Sequence, residues 1–319
     1  MSKLKLGLYW AASCGGCDIA VLEIHEKVLD LLEVAEIVFW PCVMDFKYKD
    51  VENMRDEEID VCLFNGAIRN EENQAVADLL RKKSKTLVAY GSCSMAGGIP
   101  GLANLNRRAE MFDRIYRTTE STDNPNGTLP KAMTDLGDGK TIALPEVYPH
   151  VKTLHQVVDV DYFIPGCPPT DEQTWAVIES IASGDLPAAG SVVGAGLKAV
   201  CDECPFEKTD AKVNQFKRPH EVIPDGTSCL MEQGLVCMGP STRSGCRAQC
   251  LNANMPCRGC YGPAEGIADQ GGKMIATIGS IIDSEDEKEI AKCVDQLVDP
   301  AGTLYRFGLP TSLLEKSKK

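Results

Sequence analysis

Hydrophobic and polar positions follow two alternating patterns in the first part of the chain. Short apolar runs with the spacing of strands occupy 3–10, 35–40, 59–64, 85–90 and 160–164. Segments with an apolar residue every three to four positions predict helices, one capped by Asp18 and others at 71–83, 104–119 and 171–183. A polar segment at 121–140 predicts a loop. Strands that alternate with helices predict an α/β fold with a flavodoxin-like, doubly wound parallel sheet.

Four cysteines directly follow predicted strands. Cys14 and Cys17 come after the first strand, Cys93 after the fourth and Cys167 after the fifth. The carboxyl ends of parallel strands meet at one edge of an open sheet, where ligands bind. We therefore expect these four thiols to converge, and the glycines beside them allow the backbone to approach an inorganic group closely.

The composition changes after residue 186 to short, irregular segments rich in cysteine. Eight cysteines lie in this part, at Cys201, Cys204, Cys229, Cys237, Cys246, Cys250, Cys257 and Cys260. The change predicts two domains, at 1–186 and 187–319, and bound metal would be the main source of order in the second. A final acidic helix is predicted at 284–297.

The cysteines of the second part are predicted to be metal ligands. The N-terminal residues lead straight into a strand pattern without an export signal, which predicts a cytoplasmic protein with reduced thiols. Zinc and iron-sulfur sites both use such spacing. Two zinc knuckles, Cys201–Cys204 and Cys257–Cys260, would leave four cysteines unused, whereas two four-cysteine clusters use all eight. The spacing favours clusters and leaves zinc open.

Charge and composition narrow the possible partners. The 33 Lys and Arg against 46 Asp and Glu give a net charge of -13, which disfavours nucleic acid as a partner. No apolar run approaches the roughly 18 residues that a bilayer-spanning helix needs, so we expect no direct membrane insertion. Among the remaining cysteines, Cys62 is predicted to be a buried structural thiol and Cys293 to be structural, whereas Cys42 has no assigned role.

Three motifs occur in order before the cysteine-rich part: Cys14-Gly-Gly-Cys17, Gly91-Ser-Cys93 and Gly166-Cys167-Pro-Pro. With them, nearly the whole chain resembles the small subunit of nickel-iron hydrogenases. It is most similar to the gamma subunit of the methyl-viologen-reducing, deazaflavin-non-reducing hydrogenases. The cluster-bearing subunit of respiratory complex I shares the first domain, but its two cysteines are adjacent where Cys14 and Cys17 are separated.

The resemblance implies three 4Fe-4S clusters and names their ligands. It implies a proximal cluster on Cys14, Cys17, Cys93 and Cys167, a medial cluster on Cys246, Cys250, Cys257 and Cys260, and a distal cluster on Cys201, Cys204, Cys229 and Cys237. Many members have a histidine in place of Cys201, and many hold a 3Fe-4S medial cluster without a ligand equivalent to Cys250. Uptake enzymes commonly carry a glutamate where Ser13 stands. We expect iron to be bound through these twelve cysteines alone.

The resemblance also implies the partners. A large subunit would carry the nickel-iron centre, and this chain would relay electrons from hydrogen to a 2Fe-2S subunit and to the flavin of heterodisulfide reductase, in methanogenesis with electron bifurcation. The chain would then be an oxidoreductase subunit without catalytic residues of its own. Three alternatives stay open: a small subunit of a deazaflavin-reducing hydrogenase, a complex I-type cluster subunit, and a zinc-organised interaction module.

Overall fold

The computed structural model describes residues 3–316 and places a parallel sheet at the centre of their first part. The strands are β1 (Leu4–Trp10), β2 (Ala35–Phe39), β3 (Ile59–Asn65), β4 (Ile68–Asn70), β5 (Ser84–Tyr90), β6 (Met133–Gly137), β7 (Lys140–Ala143), β8 (Val147–Lys152), β9 (Tyr162–Ile164) and β10 (Ser191–Val192). Six of them form one sheet in the order β10-β9-β5-β3-β1-β2, and each neighbouring pair is parallel. β4 pairs with β8, and β6 with β7, in two small antiparallel sheets.

Helices cover both faces of the large sheet. The α-helices of the described residues are α1 (Gly16–Leu22), α2 (Lys27–Val34), α3 (Tyr48–Glu52), α4 (Glu71–Lys83), α5 (Ser92–Ala96), α6 (Arg108–Asp113), α7 (Asp171–Ser183), α8 (Gln249–Asn252), α9 (Gln270–Ile281), α10 (Glu287–Val294), α11 (Pro300–Leu304) and α12 (Leu313–Lys316), and α8 to α11 belong to the cysteine-rich part. Val61 and Leu63 of β3 pack with residues of α1, α2 and α7, whereas Cys62 and Phe64 pack with residues of α3 and α4. This alternation confirms the predicted doubly wound α/β fold.

The two long helices of the first part have the bounds that the sequence predicts. Asn70 caps α4 by accepting a hydrogen bond from the Asn73 backbone N–H at 2.8 Å. Thr170 caps α7 by accepting one from the Gln173 N–H at 3.2 Å, and Gly184, whose φ is +72°, directly follows the last residue of α7. A side-chain acceptor at the start of each helix satisfies a backbone N–H that has no partner within the helix. Glycine in the left-handed conformation is common directly after the last residue of a helix.

The predicted N-cap role of Asp18 is wrong. Gly15 precedes α1, and Asp18 lies buried within the first turn of that helix. Its carboxylate accepts hydrogen bonds from Trp40 Nε1 at 2.7 Å and from Asn65 Nδ2 at 2.8 Å. Each carboxylate oxygen therefore has a partner that is distant in sequence, and the side chain joins α1 to the ends of two strands.

The region between α5 and β8 also differs from the prediction. The helix predicted at 104–119 is divided into a 3₁₀ helix (Ile99–Leu105), α6 and a π-helical turn (Arg114–Thr118). The predicted loop contains most of the β6–β7 hairpin, which turns through Asp138 and Gly139 with φ values of +51° and +74°. Both strands are almost entirely exposed, so they carry no apolar pattern, although Asp-Gly is itself a hairpin signal.

The cysteine-rich part contains more helix than predicted. The twelve-residue α9 lies where irregular structure was expected. The final acidic helix predicted at 284–297 is the shorter α10, and α11 and α12 follow it.

This part builds a second hydrophobic core and then returns to the sheet. Leu230, Met274 and Leu304 are buried in that core together with Cys237 and Cys257. The C-terminal segment contacts the first part of the chain again, where the Gly98 N–H donates a hydrogen bond to the Phe307 carbonyl at 3.0 Å. The sheet also includes β10, beyond residue 186, and the division into 1–186 and 187–319 stays a prediction. Within residues 3–316, no helix has the length and apolar character needed to cross a bilayer.

Truncating a buried strand residue tests the assigned core. Leu87 of β5 is fully buried, so Leu87→Ala should lower the free energy of unfolding by about 2–5 kcal/mol through lost burial and a residual cavity. Leu29→Ala on α2 is the control, because Leu29 is 67% exposed and should lose less than about 1 kcal/mol. Denaturant unfolding followed by circular dichroism measures both, and equal losses would contradict the assignment.

Candidate functional site

The four cysteines that follow strands of the large sheet meet at one edge. Cys14 lies in the turn after β1, Cys17 in α1, Cys93 in α5 and Cys167 after β9. Burial raises the pKa of the Cys17 thiol, and the nearby Cys93, Cys167 and Cys14 raise it further. The structure thus brings all four predicted residues together, and we call them the first set.

Hydrogen bonds between the ends of β5 and β9 position two members of this set. The Gly91 N–H donates to the Ile164 carbonyl at 2.8 Å, and the Ser92 N–H donates to the Gly166 carbonyl at 2.7 Å. The Ser92 hydroxyl lies within hydrogen-bonding distance of the carbonyls of Gly166, at 2.8 Å, and Cys260, and its proton can go to either. Cys93 and Cys167 are therefore attached to two strand ends that are joined to each other.

Asn65, the last residue of β3, organises the turn that carries Cys14 and Cys17. Its Oδ1 accepts a hydrogen bond from Ser13 Oγ at 3.1 Å, and its Nδ2 donates to Asp18. One side chain thereby holds residues on both sides of the two cysteines. Sequence reasoning missed this residue, although a polar residue that ends an apolar strand at the ligand-bearing edge is a usable signal.

Two glycines leave the space that thiols of the first set occupy. A Cβ on Gly91 would lie 2.4 Å from Cys17 Sγ, and a Cβ on Gly98 would lie 2.5 Å from Cys93 Sγ. Their φ values are +86° and +54°, in the region that favours glycine. Any larger residue would displace the sulfur atoms.

A second set consists of Cys246, Cys250, Cys257 and Cys260. Burial is the main cause of the raised pKa of Cys260, and Cys257, Cys246, Cys167 and Cys250 add to it. All four members line one cavity of about 380 Å³, together with Cys167 of the first set. The structure therefore brings this predicted group together as well.

A third set consists of Cys201, Cys204, Cys229 and Cys237. Cys201 interacts electrostatically with Cys204 and Cys229, and it also contributes to the raised pKa of Cys237. The sulfur atoms of Cys201 and Cys237 lie 3.3 and 3.5 Å from the point that a Cβ of Gly239 would occupy. These four residues therefore also lie close together.

The three sets form a series. Cys167 of the first set interacts electrostatically with Cys260 of the second. Cys257 of the second set donates its backbone N–H to Cys237 Sγ of the third at 3.3 Å. The first set thus adjoins the second, and the second adjoins the third.

Burial disfavours the thiolate form of several thiols in these sets unless a cation compensates the negative charge. It raises the pKa of Cys93 to about 12 and that of Cys257 to about 11, although N–H and hydroxyl donors near Cys257 act in the opposite direction. It also raises the pKa of Cys237 well above the ordinary range. Metal binding at such sites releases protons, because only the thiolate is a ligand.

The donors present fit iron-sulfur clusters. Each set offers four thiols, the number that a 4Fe-4S cluster takes, and glycines leave room beside several of the sulfurs. Within residues 3–316, no three Cys, His, Asp or Glu side chains meet closely enough to hold a single metal ion. A four-iron cluster does not need such a meeting point, because each of its thiolates binds a different iron.

Three cysteines lie outside the sets. Cys62 is fully buried in β3, which confirms the predicted buried thiol, and Cys293 is buried in α10 against the second core. Cys42 is exposed near Asp18, whose charge contributes to raising its pKa after the larger effect of burial.

Comparison with known proteins places the first part of the chain in a wider family. Residues 14–181, just over half of the chain, match the family model described as NADH ubiquinone oxidoreductase, 20 kDa subunit. The matched segment contains four of the six strands of the large sheet and the whole first set. The NiFeSe hydrogenase of Desulfovibrio vulgaris Hildenborough has a similar fold, with a TM-score of 0.52 at 16% identity over 82% of this chain and 94% of that one.

Two relatives match over almost the full length. The iron-sulfur subunit of the F420-non-reducing hydrogenase of Archaeoglobus profundus is 42% identical, with 98% of each chain covered. The corresponding F420-non-reducing hydrogenase subunit of Methanothermobacter marburgensis is 37% identical, with 98% of this chain and 96% of that one covered. The chain therefore belongs to this family of F420-non-reducing hydrogenase iron-sulfur subunits, and it is a hydrogenase subunit and an oxidoreductase.

Proposed function

We propose that the chain is the electron-transferring subunit of its hydrogenase and holds three 4Fe-4S clusters, one on each cysteine set. The first set would hold the proximal cluster, the second the medial cluster and the third the distal cluster. The observation that carries this proposal is the series of sets, with Cys167 beside Cys260 and the Cys257 backbone N–H donating a hydrogen bond to Cys237 Sγ. Redox groups held in sequence provide a path for electrons through the chain.

When bound, each cluster supplies a centre that accepts and releases one electron at a time. The chain's own residues hold the thiolates, shield them from water and set the spacing between the groups. Ser92 joins the first and second sets through the carbonyls of Gly166 and Cys260. The buried Asp18 carboxylate and Asn65 hold the turn around Cys14 and Cys17.

We propose that the first set faces a large subunit that carries a nickel-iron centre. Cys14 and Cys167 are exposed in the isolated chain, whereas Cys17 and Cys93 are buried. The exposure of Cys14 suits electron entry from a docked partner, and Cys167, which lies beside Cys260, would lead to the second set. Proton handling would then belong mainly to that partner.

The third set would deliver electrons to the acceptor. Cys201 and Cys229 line a surface cavity of about 410 Å³. By the resemblance described above, the acceptor chain would be a 2Fe-2S subunit that passes electrons to the flavin of heterodisulfide reductase, in the cytoplasm. We also propose that residues 187–319 form the domain that holds the second and third sets.

Metal and sulfide analysis tests the proposal. Protein purified without oxygen together with its large subunit should contain about twelve irons and equal acid-labile sulfide in this chain, and nickel in the partner. It should also reduce viologen with hydrogen. Clusters without nickel would favour the complex I type of subunit, and zinc without labile sulfide would exclude the relay.

Replacing Gly91 tests the first set. Gly91→Ala would place a methyl group on Cys17 Sγ, so the purified protein should lose about four irons and its hydrogen-dependent viologen reduction. Gly184→Ala is the matched control, because φ at Gly184 is +72° but no atom lies within 4 Å of the added Cβ. The control should lose only about 1–2 kcal/mol of stability from backbone strain and should keep its iron. Equal iron content in the two variants would refute the ligand role of Cys17.

Replacing Cys250 tests the nuclearity of the medial cluster. Cys250→Ala should lose one iron and show the electron paramagnetic resonance signal of an oxidised 3Fe-4S cluster, because three thiolates remain in the second set. Cys42→Ala removes another exposed cysteine, outside the three sets, and should leave both iron content and spectrum unchanged. A 3Fe-type signal of full intensity in the parent protein would show that Cys250 is not a ligand.

A further inference from the structure

A cavity of about 360 Å³ in the cysteine-rich part is lined by basic side chains. Its walls include Lys217, Arg218, His220, Arg258 and Arg306, and no Asp or Glu is among its lining residues. We call it the basic cavity. The chain as a whole has a net charge of -13, so a cluster of basic side chains differs from the average charge of this protein.

The lysine and the three arginines of the basic cavity have no ion-pair partner within residues 3–316. The twelve ion pairs within 4.0 Å in that part of the chain include other basic residues, such as Arg81 and Arg108, but none of these four. Arg258 and Arg306 are also only partly exposed. Partly buried guanidinium groups without a paired anion are costly, and an anion between them would remove that cost.

The pKa of Arg306 shows that its surroundings disfavour the positive charge. Burial lowers its pKa, and the neighbouring Arg258 lowers it further. Asp299 acts in the opposite direction, but its Oδ1 accepts a hydrogen bond from the Gly302 N–H at 3.0 Å, at the start of α11. The Glu221 carboxylate also accepts a backbone hydrogen bond, from the Arg218 N–H to its Oε2 at 2.6 Å. Neither carboxylate lines the basic cavity.

The remaining wall of the cavity is mainly apolar. Phe216 and Leu304 are buried in the second core, and Val236 and Leu297 pack against it. Gln296 Oε1 accepts a hydrogen bond from the Phe216 N–H at 2.7 Å, which joins the two sides of the cavity. An apolar wall opposite a basic one suits an organic anion, and the volume falls in the range of small-ligand sites.

We propose that the basic cavity binds a phosphate-bearing anion through Lys217, Arg218, Arg258 and Arg306. Guanidinium groups bind phosphate oxygens with paired hydrogen bonds, which favours phosphate over a halide. Arg258 lies between Cys257 and Cys260 in the sequence and also lines the cavity of the second set. The bound anion would therefore be one side chain away from that set. The site stands on its own lining residues and does not require the clusters.

Isothermal titration of the anaerobically purified complex with its large subunit, at constant ionic strength, tests the site. Inorganic phosphate, ADP and uncharged adenosine are the probes. We expect saturable binding of phosphate or ADP with one site per chain. Binding as tight for phosphate as for ADP would identify free phosphate as the ligand, whereas tighter binding of ADP would identify a nucleotide.

Variants locate the binding. Arg306→Gln should weaken the binding about tenfold or more through the loss of a charge-assisted hydrogen bond, and Arg306→Lys should weaken it less. Lys273→Gln on α9 is the control, because it makes the same change in net charge at an exposed residue outside the basic cavity. Unchanged iron content would show that each variant keeps its clusters.

Three results would overturn the proposal. One is the absence of saturable binding of both phosphate and ADP. Another is equal weakening by Lys273→Gln, which would show general attraction to positive charge. The third is adenosine binding as tightly as ADP, which would show that phosphate is not recognised.

Discussion

The parallel pairing of β1 and β5 with β3, and of β9 with β5, is the constraint on which the site depends. Parallel strands end at the same edge, so three segments distant in sequence deliver Cys14, Cys17, Cys93 and Cys167 to one place. Hydrogen bonds from Gly91 and Ser92 to the end of β9 then fix two of these segments relative to each other. A change in strand order would separate thiols that no local interaction holds together.

Burial of the thiols is the second physical condition of the molecule. A buried thiolate is unfavourable in an apolar environment, and the raised pKa values of Cys93 and Cys257 express that cost. Bound iron would offset the cost, because the thiolate charge would then be shared with a cation. Folding of the cysteine-rich part and loading of its clusters are therefore expected to be thermodynamically linked.

The same part of the chain also has a structure that does not depend on its cysteines alone. It has a hydrophobic core with α9 and α10, and its C-terminal segment packs on the first part through Phe307 and Pro310. This packing positions Cys260 beside Cys167, whereas the contact of the Cys257 backbone with Cys237 lies within the cysteine-rich part. The series thus depends both on how the two parts pack and on the fold of the second part.

The sequence by itself determined the fold class, the bounds of α4 and α7, the buried state of Cys62 and the family. These features depend on local periodicity, on capping residues and on motifs, all of which can be read along the chain. The grouping of the twelve cysteines was also predicted, but for the second part it came from the resemblance. The structure brings each of the three groups together, and their role as ligands is the proposal made above.

Only the tertiary structure decided what depends on contacts between distant residues. Asp18 is a buried acceptor for Trp40 and Asn65, because those partners come from other strand ends, and nothing in the local sequence distinguishes this from a cap. The β6–β7 hairpin is exposed and therefore lacks the apolar pattern that reveals other strands. The convergence of Lys217, Arg258 and Arg306 on one cavity likewise arises from folding, since these residues are far apart in sequence and have no periodic relation.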